Sequence, residues 1–323
     1  MNKQRRRRPQ AALLLLAGAC FGAWLGCAHA ATAQIAAAQV ADAVHAPLFA
    51  AAHAGKRIVV AGEHGVILLS DDEGKSFRQA RLVPTQALLS SLSFVDEKQG
   101  WAAGHDGLVL HTTDGGETWE IQREELEGDK PLFSIYFRDA QHGIAVGLFG
   151  TAVQTADGGK NWTPLAVESG DDADHHLYWI FGDPATALCI AGEAGMIYRS
   201  TDGGASWTAI KTSNPGSFWT GLQLKDGSLL AAGQRGHVFL SHDQGANWTE
   251  VASGTDQSLT GVVQSEEGSL LLTGVAGTTL ASSDGGKTIA AHTRGDRVPL
   301  YAALAGAGNV VLLFGEKGVA AGN

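Results

Sequence analysis

Side chains able to do chemistry gather in three places along the chain. Glu63, Asp106, Glu193 and Glu316 each lie between the two glycines of a Gly-x-x-Gly string, and a suitably separated pair of such carboxylates is the machinery of glycoside hydrolysis. His64, His105 and Asp106 could ligate a metal, as could the cluster Asp171, Asp172, Asp174, His175 and His176, but neither follows a recognised ligand spacing. Six further aspartates (Asp72, Asp114, Asp157, Asp202, Asp243 and Asp284) recur every 41 to 45 residues. Nothing singles out an acid–base pair, and no Gly-x-Ser-x-Gly or His-Glu-x-x-His string occurs. The expectation is therefore a chain with no catalytic residue, no metal site and no cofactor.

The six recurring aspartates belong to an Asp box, Ser/Thr-x-Asp-x-Gly-x-x-Trp/Phe, running in its copies from Ser70, Thr112, Thr155, Ser200, Ser241 and Ser282. A period near 40 residues in a chain of short apolar runs and Gly/Asp/Asn turns reads as the four-stranded blade of a β-propeller. One repeat shows it: Pro131–Phe137, the polar turn 138–143, Ile144–Gly147, then Thr151–Thr155 and Trp162–Leu165, with no helical period anywhere. A short Asp side chain accepts hydrogen bonds from backbone N–H groups one or two residues on, and the glycine after it takes positive φ without steric cost. These residues are read as structural, closing the hairpin between the third and fourth strands. The aromatic that follows (Phe77, Trp119, Trp162, Trp207, Trp248) is expected to fill the space between blades, less completely in the sixth copy, where Ile289 replaces it.

Gly-x-x-Gly occurs seven times, at 62/65, 104/107, 147/150, 192/195, 233/236, 274/277 and 315/318. Seven copies predict seven blades, all-β and antiparallel. The seventh copy lies five positions before Asn323, leaving its blade without a fourth strand, so residues 32–40 are expected to return and complete it. The Gly-x-x-Gly turns join second to third strands and should lie opposite the Asp boxes, around the channel mouth. There they would present Glu63, His64, His105, Asp106, Leu148, Phe149, Glu193, Gln234, Arg235, Val275, Glu316 and Lys317. Leu148, Phe149 and Val275 are apolar at the tips of turns, as in a protein-contact surface. Gly-x-x-Gly is not a phosphate loop here, because no helix follows it.

Arg5–Arg8, the apolar run from Ala11 to Leu25 and Ala28-His29-Ala30 read as a signal peptide cut after Ala30, leaving residues 31–323 as one propeller domain in the periplasm or otherwise exported. Cys27 offers a poorer lipoprotein alternative, because Trp24 stands where the lipobox has Leu. Cleavage leaves Cys189 alone, so no internal disulfide forms. It also leaves 18 Lys and Arg against 33 Asp and Glu, a charge that disfavours nucleic acid and anionic lipid.

These strings resemble the secreted propeller family of the photosystem II stability and assembly factor. Gly100-Trp-Ala-Ala-Gly104 with Gly107, followed by Thr113-Asp-Gly-Gly-Glu-Thr-Trp119, is characteristic of it, and the likeness runs from residue 44 to 323. The resemblance implies a non-enzymatic, monomeric seven-bladed ring that binds a protein client, a membrane or envelope complex, during assembly. Photosynthetic members use an arginine-rich surface; the arginines here (57, 78, 81, 123, 138, 199, 235, 294 and 297) are dispersed. A periplasmic accessory protein of a membrane transporter is a second reading. Sialidases also carry Asp boxes, but they have six blades and a Phe-Arg-Ile-Pro string whose nearest counterpart, Arg297-Val-Pro299, opens the last blade.

Overall fold

The computed structural model describes residues 35–128, 130–168 and 173–320. The proposed signal peptide, Asp171, Asp172 and residues 32–34 lie outside them.

Seven antiparallel meanders follow one another, beginning with Leu48–Ala54, Arg57–Gly62, Ile67–Ser70 and Arg78–Gln79. Within this sheet Leu48 pairs with Gly62 and Ile58 with Ser70, so the turn after Gly62 and the hairpin after Ser70 point to opposite ends. The innermost strands of the next six blades are Leu89–Phe94, Leu132–Phe137, Leu177–Asp183, Phe218–Gln223, Leu259–Gln264 and Leu300–Ala305. Each packs on its neighbour's innermost strand, and the last packs on the first. The result is a seven-bladed propeller.

Apolar residues drive this by burying both faces of each blade. Second strands such as Arg57–Gly62, Gly143–Gly147 and Leu229–Gly233 are almost wholly buried, which is why they read as unbroken runs rather than alternations. The box aromatics sit in the joints. Trp119 joins the core shared by blades one and two, Trp162 that of two and three, Trp207 that of three and four, and Trp248 that of four and five. Ile289 takes the corresponding place between blades five and six, and Phe77 between seven and one. Cys189 is buried in the joint of blades four and five, where burial pushes its thiol up to about 12.

The seventh blade departs from expectation. It has three strands among the described residues, Leu300–Ala305, Val311–Gly315 and Gly318–Ala320. Residues 35–40 form no strand and lie instead along the outer edge of blade one. There Ala37 N–H donates to the Val83 carbonyl (2.9 Å), Gln39 to that of Ala80 (2.7 Å), and Gln79 to that of Ala38 (2.7 Å). The backbone groups that would have paired in blade seven are engaged on blade one. The ring closes through side chains: Phe314, Leu312 and Val319 pack with Leu48, Val60, Leu68 and Phe77, and Phe49 stacks on Tyr301 at 4.7 Å.

Candidate functional site

The Asp boxes are fully engaged within themselves. Asp72 Oδ1 accepts from the Ser70 hydroxyl (2.8 Å) and Ser76 N–H (2.9 Å), its Oδ2 from the Ser76 hydroxyl (2.6 Å), while Gly74 N–H donates to Ser70 Oγ (2.8 Å). Asp114, Asp157, Asp202, Asp243 and Asp284 repeat the pattern with Thr118, Asn161, Ser206, Asn247 and Thr288. The donor is thus four residues on, not one or two, because the chain makes a full loop with the carboxylate at its centre. Hydrogen bonds from the residue four on hold Asp72, Asp157, Asp202, Asp243 and Asp284 at about 2. The amides of Asn161 and Asn247, each in a glycosylation-like sequon, are spent on this contact. The indoles of Trp119, Trp207 and Trp248 donate to Gly116, Gly204 and Gly245 of their own boxes; the indole N–H of Trp162 has no partner among the described residues.

The Gly-x-x-Gly turns occupy the opposite face. Their geometry explains both glycines. A Cβ on Gly147 would fall on the Pro131 carbonyl of the neighbouring strand, and one on Gly150 (φ +66) on the Ala173 carbonyl of the inter-blade connection. The residue between them takes left-handed backbone although it is not glycine, as at His64, Asp106, Phe149, Ala194, Arg235 and Ala276. Side chains at that position point out: His64, Phe149 and Arg235 are exposed, Asp106 half-buried. At the first position, Glu63, Leu148, Glu193 and Val275 are half-buried, whereas His105, Gln234 and Glu316 are exposed, as is Lys317. Of the three apolar tips, only Phe149 is strongly exposed, at 62%.

No group of three or more His, Cys, Asp or Glu side chains is placed to hold an ion among the described residues. His175 pairs with Glu168 (3.1 Å), which also accepts from the Tyr198 hydroxyl (2.9 Å). His176 instead bridges two rim turns: its Nδ1 accepts from Phe149 N–H (3.2 Å), and its own N–H donates to Glu193 (3.1 Å).

Sequence reasoning placed the channel mouth but missed the residues that line the lumen. Every innermost strand carries a register shift immediately after its leading Leu or Phe, so the next residue bulges from the ladder. These residues are Phe49, Ser90, Phe133, Tyr178, Trp219, Thr260 and Tyr301, and all seven line one cavity of about 280 Å³ on the channel axis. Phe133 stacks on Tyr178 at 5.7 Å, and Tyr178 meets His176 at 6.0 Å. Phe149 meets His176 in turn, edge to face at 4.9 Å. An unbroken aromatic track therefore leads from the exposed rim into the lumen. The signal was available: the bulged residue stands fourteen positions before the first glycine of the motif in blades two to seven.

Residues 122–271 match the family model described as photosynthesis system II assembly factor YCF48. Over that stretch the chain is similar to the photosystem II assembly-factor family. It is 40% identical over 116 residues to the photosystem II assembly lipoprotein Ycf48 of Prochlorococcus marinus, covering 36% of this chain and 34% of that protein. It is 37% identical over 132 residues to the photosystem II assembly protein Ycf48 of Thermosynechococcus vestitus, 41% of this chain and 38% of that one. These matches thus span little more than a third of the curated relatives' length. Among solved structures, YCF48 bound to D1 peptide superposes with a TM-score of 0.70 at 20% identity, over 88% of this chain and 94% of that one. A streptogramin B lyase superposes equally well, with a TM-score of 0.71 at 13% identity over 85% and 92%. The shared propeller shape accommodates a binding protein and an enzyme alike.

Proposed function

We propose that this protein is an exported, non-enzymatic propeller that binds a protein client and assists assembly or stability of a membrane or envelope complex. The carrying observation is Phe149, an exposed aromatic at the tip of a left-handed rim turn, within the stretch that matches the assembly-factor model. The left-handed backbone is common to six of the rim turns, and what sets Phe149 apart is a large apolar ring left in solvent. Contact with a partner is the account that fits. The other rim side chains (Glu63, His64, His105, Asp106, Leu148, Glu193, Gln234, Arg235, Val275, Glu316 and Lys317) would make up the surrounding surface. The basic and apolar N-terminal sequence supports export with cleavage after Ala30, and relatives named as lipoproteins favour attention to Cys27 as the alternative anchor point.

Affinity capture from solubilised membranes tests this. Recovery of a membrane or peripheral membrane protein supports the reading. Empty capture together with turnover of a glycoside library would replace it with the hydrolase alternative.

A further inference from the structure

The lumen combines two properties that together specify a ligand. Five of its seven bulged positions are aromatic, with Phe49 stacked on Tyr301 and Phe133 on Tyr178, so π faces and edges surround a space of about 280 Å³. That is near the lower end of small-ligand sites, about 300 Å³. The mouth above it is acidic. Glu316 and Glu63 stand close enough to Tyr301, and Glu193 to Tyr178, that their charges add to burial in pushing both phenols up. The rim cations set against this field are Arg123 and Lys211, which donate to the Gly107 and Ala194 carbonyls, together with Lys317 and Arg235. Lys317 shares a pocket with Arg294 and Asp296, whose carboxyl is held low first by a hydrogen bond from Arg294 and least by the Lys317 charge. Arg235 is exposed at the tip of its turn on blade five. Aromatic faces attract cations through the ring quadrupole, most strongly where water is excluded, and carboxylates at the entrance raise the local concentration of cations.

We propose that the channel mouth is a receptor for an organic cation, a guanidinium or ammonium group, held against Trp219, Tyr178 and Tyr301 with Glu63, Glu193 and Glu316 at the entrance. An Arg or Lys side chain on an extended segment of the client is the source that accords with the proposed function. The inference rests on that reading only for the source of the cation. The exposed Phe149 and the half-buried His176 would then guide the segment inward along the aromatic track.

Trp219 supplies the readout. Purified protein is titrated with a five-residue peptide of glycines around one central arginine, with the same peptide carrying citrulline, and with choline. The arginine peptide should change Trp219 emission saturably, and citrulline should weaken binding by about tenfold, the scale of one desolvated cation–π contact. Tyr301→Leu should weaken the arginine peptide similarly, and Tyr301→Phe should retain it, since the ring face survives. Choline binding as tightly as the arginine peptide would support the site and assign it to a free small cation. Equal affinity for arginine and citrulline peptides, or no response from either, overturns the proposal. If client capture from membranes persists alongside that failure, the assembly-factor reading stands without it.

Discussion

The indole of Trp101 and the ring of Phe137 lie 5° from parallel with centroids 3.6 Å apart, across the joint between blades two and three. Phe137 also meets Trp162 edge-on at 5.9 Å. Three aromatics from two blades thus form one block, and Phe137 is its middle member. Phe137→Ala should destabilise the ring by about 3–5 kcal/mol, as for other buried Phe truncations. Urea unfolding followed by tryptophan emission measures it; a loss below about 1 kcal/mol would mean that the joint repacks freely.

The Asp boxes make stability depend on acid. Five of the box carboxylates sit at about 2, chiefly through hydrogen bonds from the residue four on, against about 3.9 in an unfolded chain. A depressed folded value stabilises above the unfolded one, and the contribution disappears as pH falls through the folded one. Melting temperature should therefore be flat down to about pH 4 and drop between pH 4 and 2. Asp202→Asn should lower it at neutral pH and flatten that drop. An unaltered profile would show that these hydrogen bonds do not differ between folded and unfolded chains.

The glycines divide into two classes that substitution will separate. At Gly227 (φ +85) nothing lies within 4 Å of a built Cβ, so Gly227→Ala should cost only the left-handed penalty, about 1–2 kcal/mol. At Gly147 the backbone is extended but the Pro131 carbonyl occupies the Cβ position, and strands must separate. Gly147→Ala should cost at least about 3 kcal/mol, the upper range for overpacking. Equal denaturant midpoints for the two variants would contradict this assignment.

Phe149→Asp tests the rim. The side chain is exposed and touches only His176 among aromatic neighbours, so the melting temperature should hold. Capture of a client should fall by about tenfold or more, the scale of losing one interface anchor worth over 1 kcal/mol. Intact capture would move the binding surface to the inter-blade connections.

The repeated boxes and paired glycines revealed seven blades from sequence because their chemistry is local: Asp72 reaches four residues, and Gly147 answers to one neighbouring carbonyl. Closure was not local. Residues 35–40 carry too little side-chain character to choose between two edges, and glutamines 39 and 79 draw them to blade one instead of seven. The aromatic lumen stayed hidden for a different reason. Phe133 or Trp219 in a run of apolar residues looks like core, and only the one-residue displacement of the ladder turns it inward. The rim was legible as a place, while the half-burial of Leu148 and Val275 beside the exposure of Phe149 depended on packing between blades.

That displacement, found at the same point of all seven innermost strands, separates at the five aromatic positions what the lumen displays from the ladder that holds each blade. A substitution at Phe133 or Trp219 alters the inner lining without removing a ladder partner, whereas Ser90 and Thr260 donate their hydroxyls to the Leu132 and Leu300 carbonyls of the next blade (2.7 and 2.5 Å). Recognition can therefore be rewritten at the aromatic spokes, while the two hydroxyl-bearing spokes tie their blades to the next.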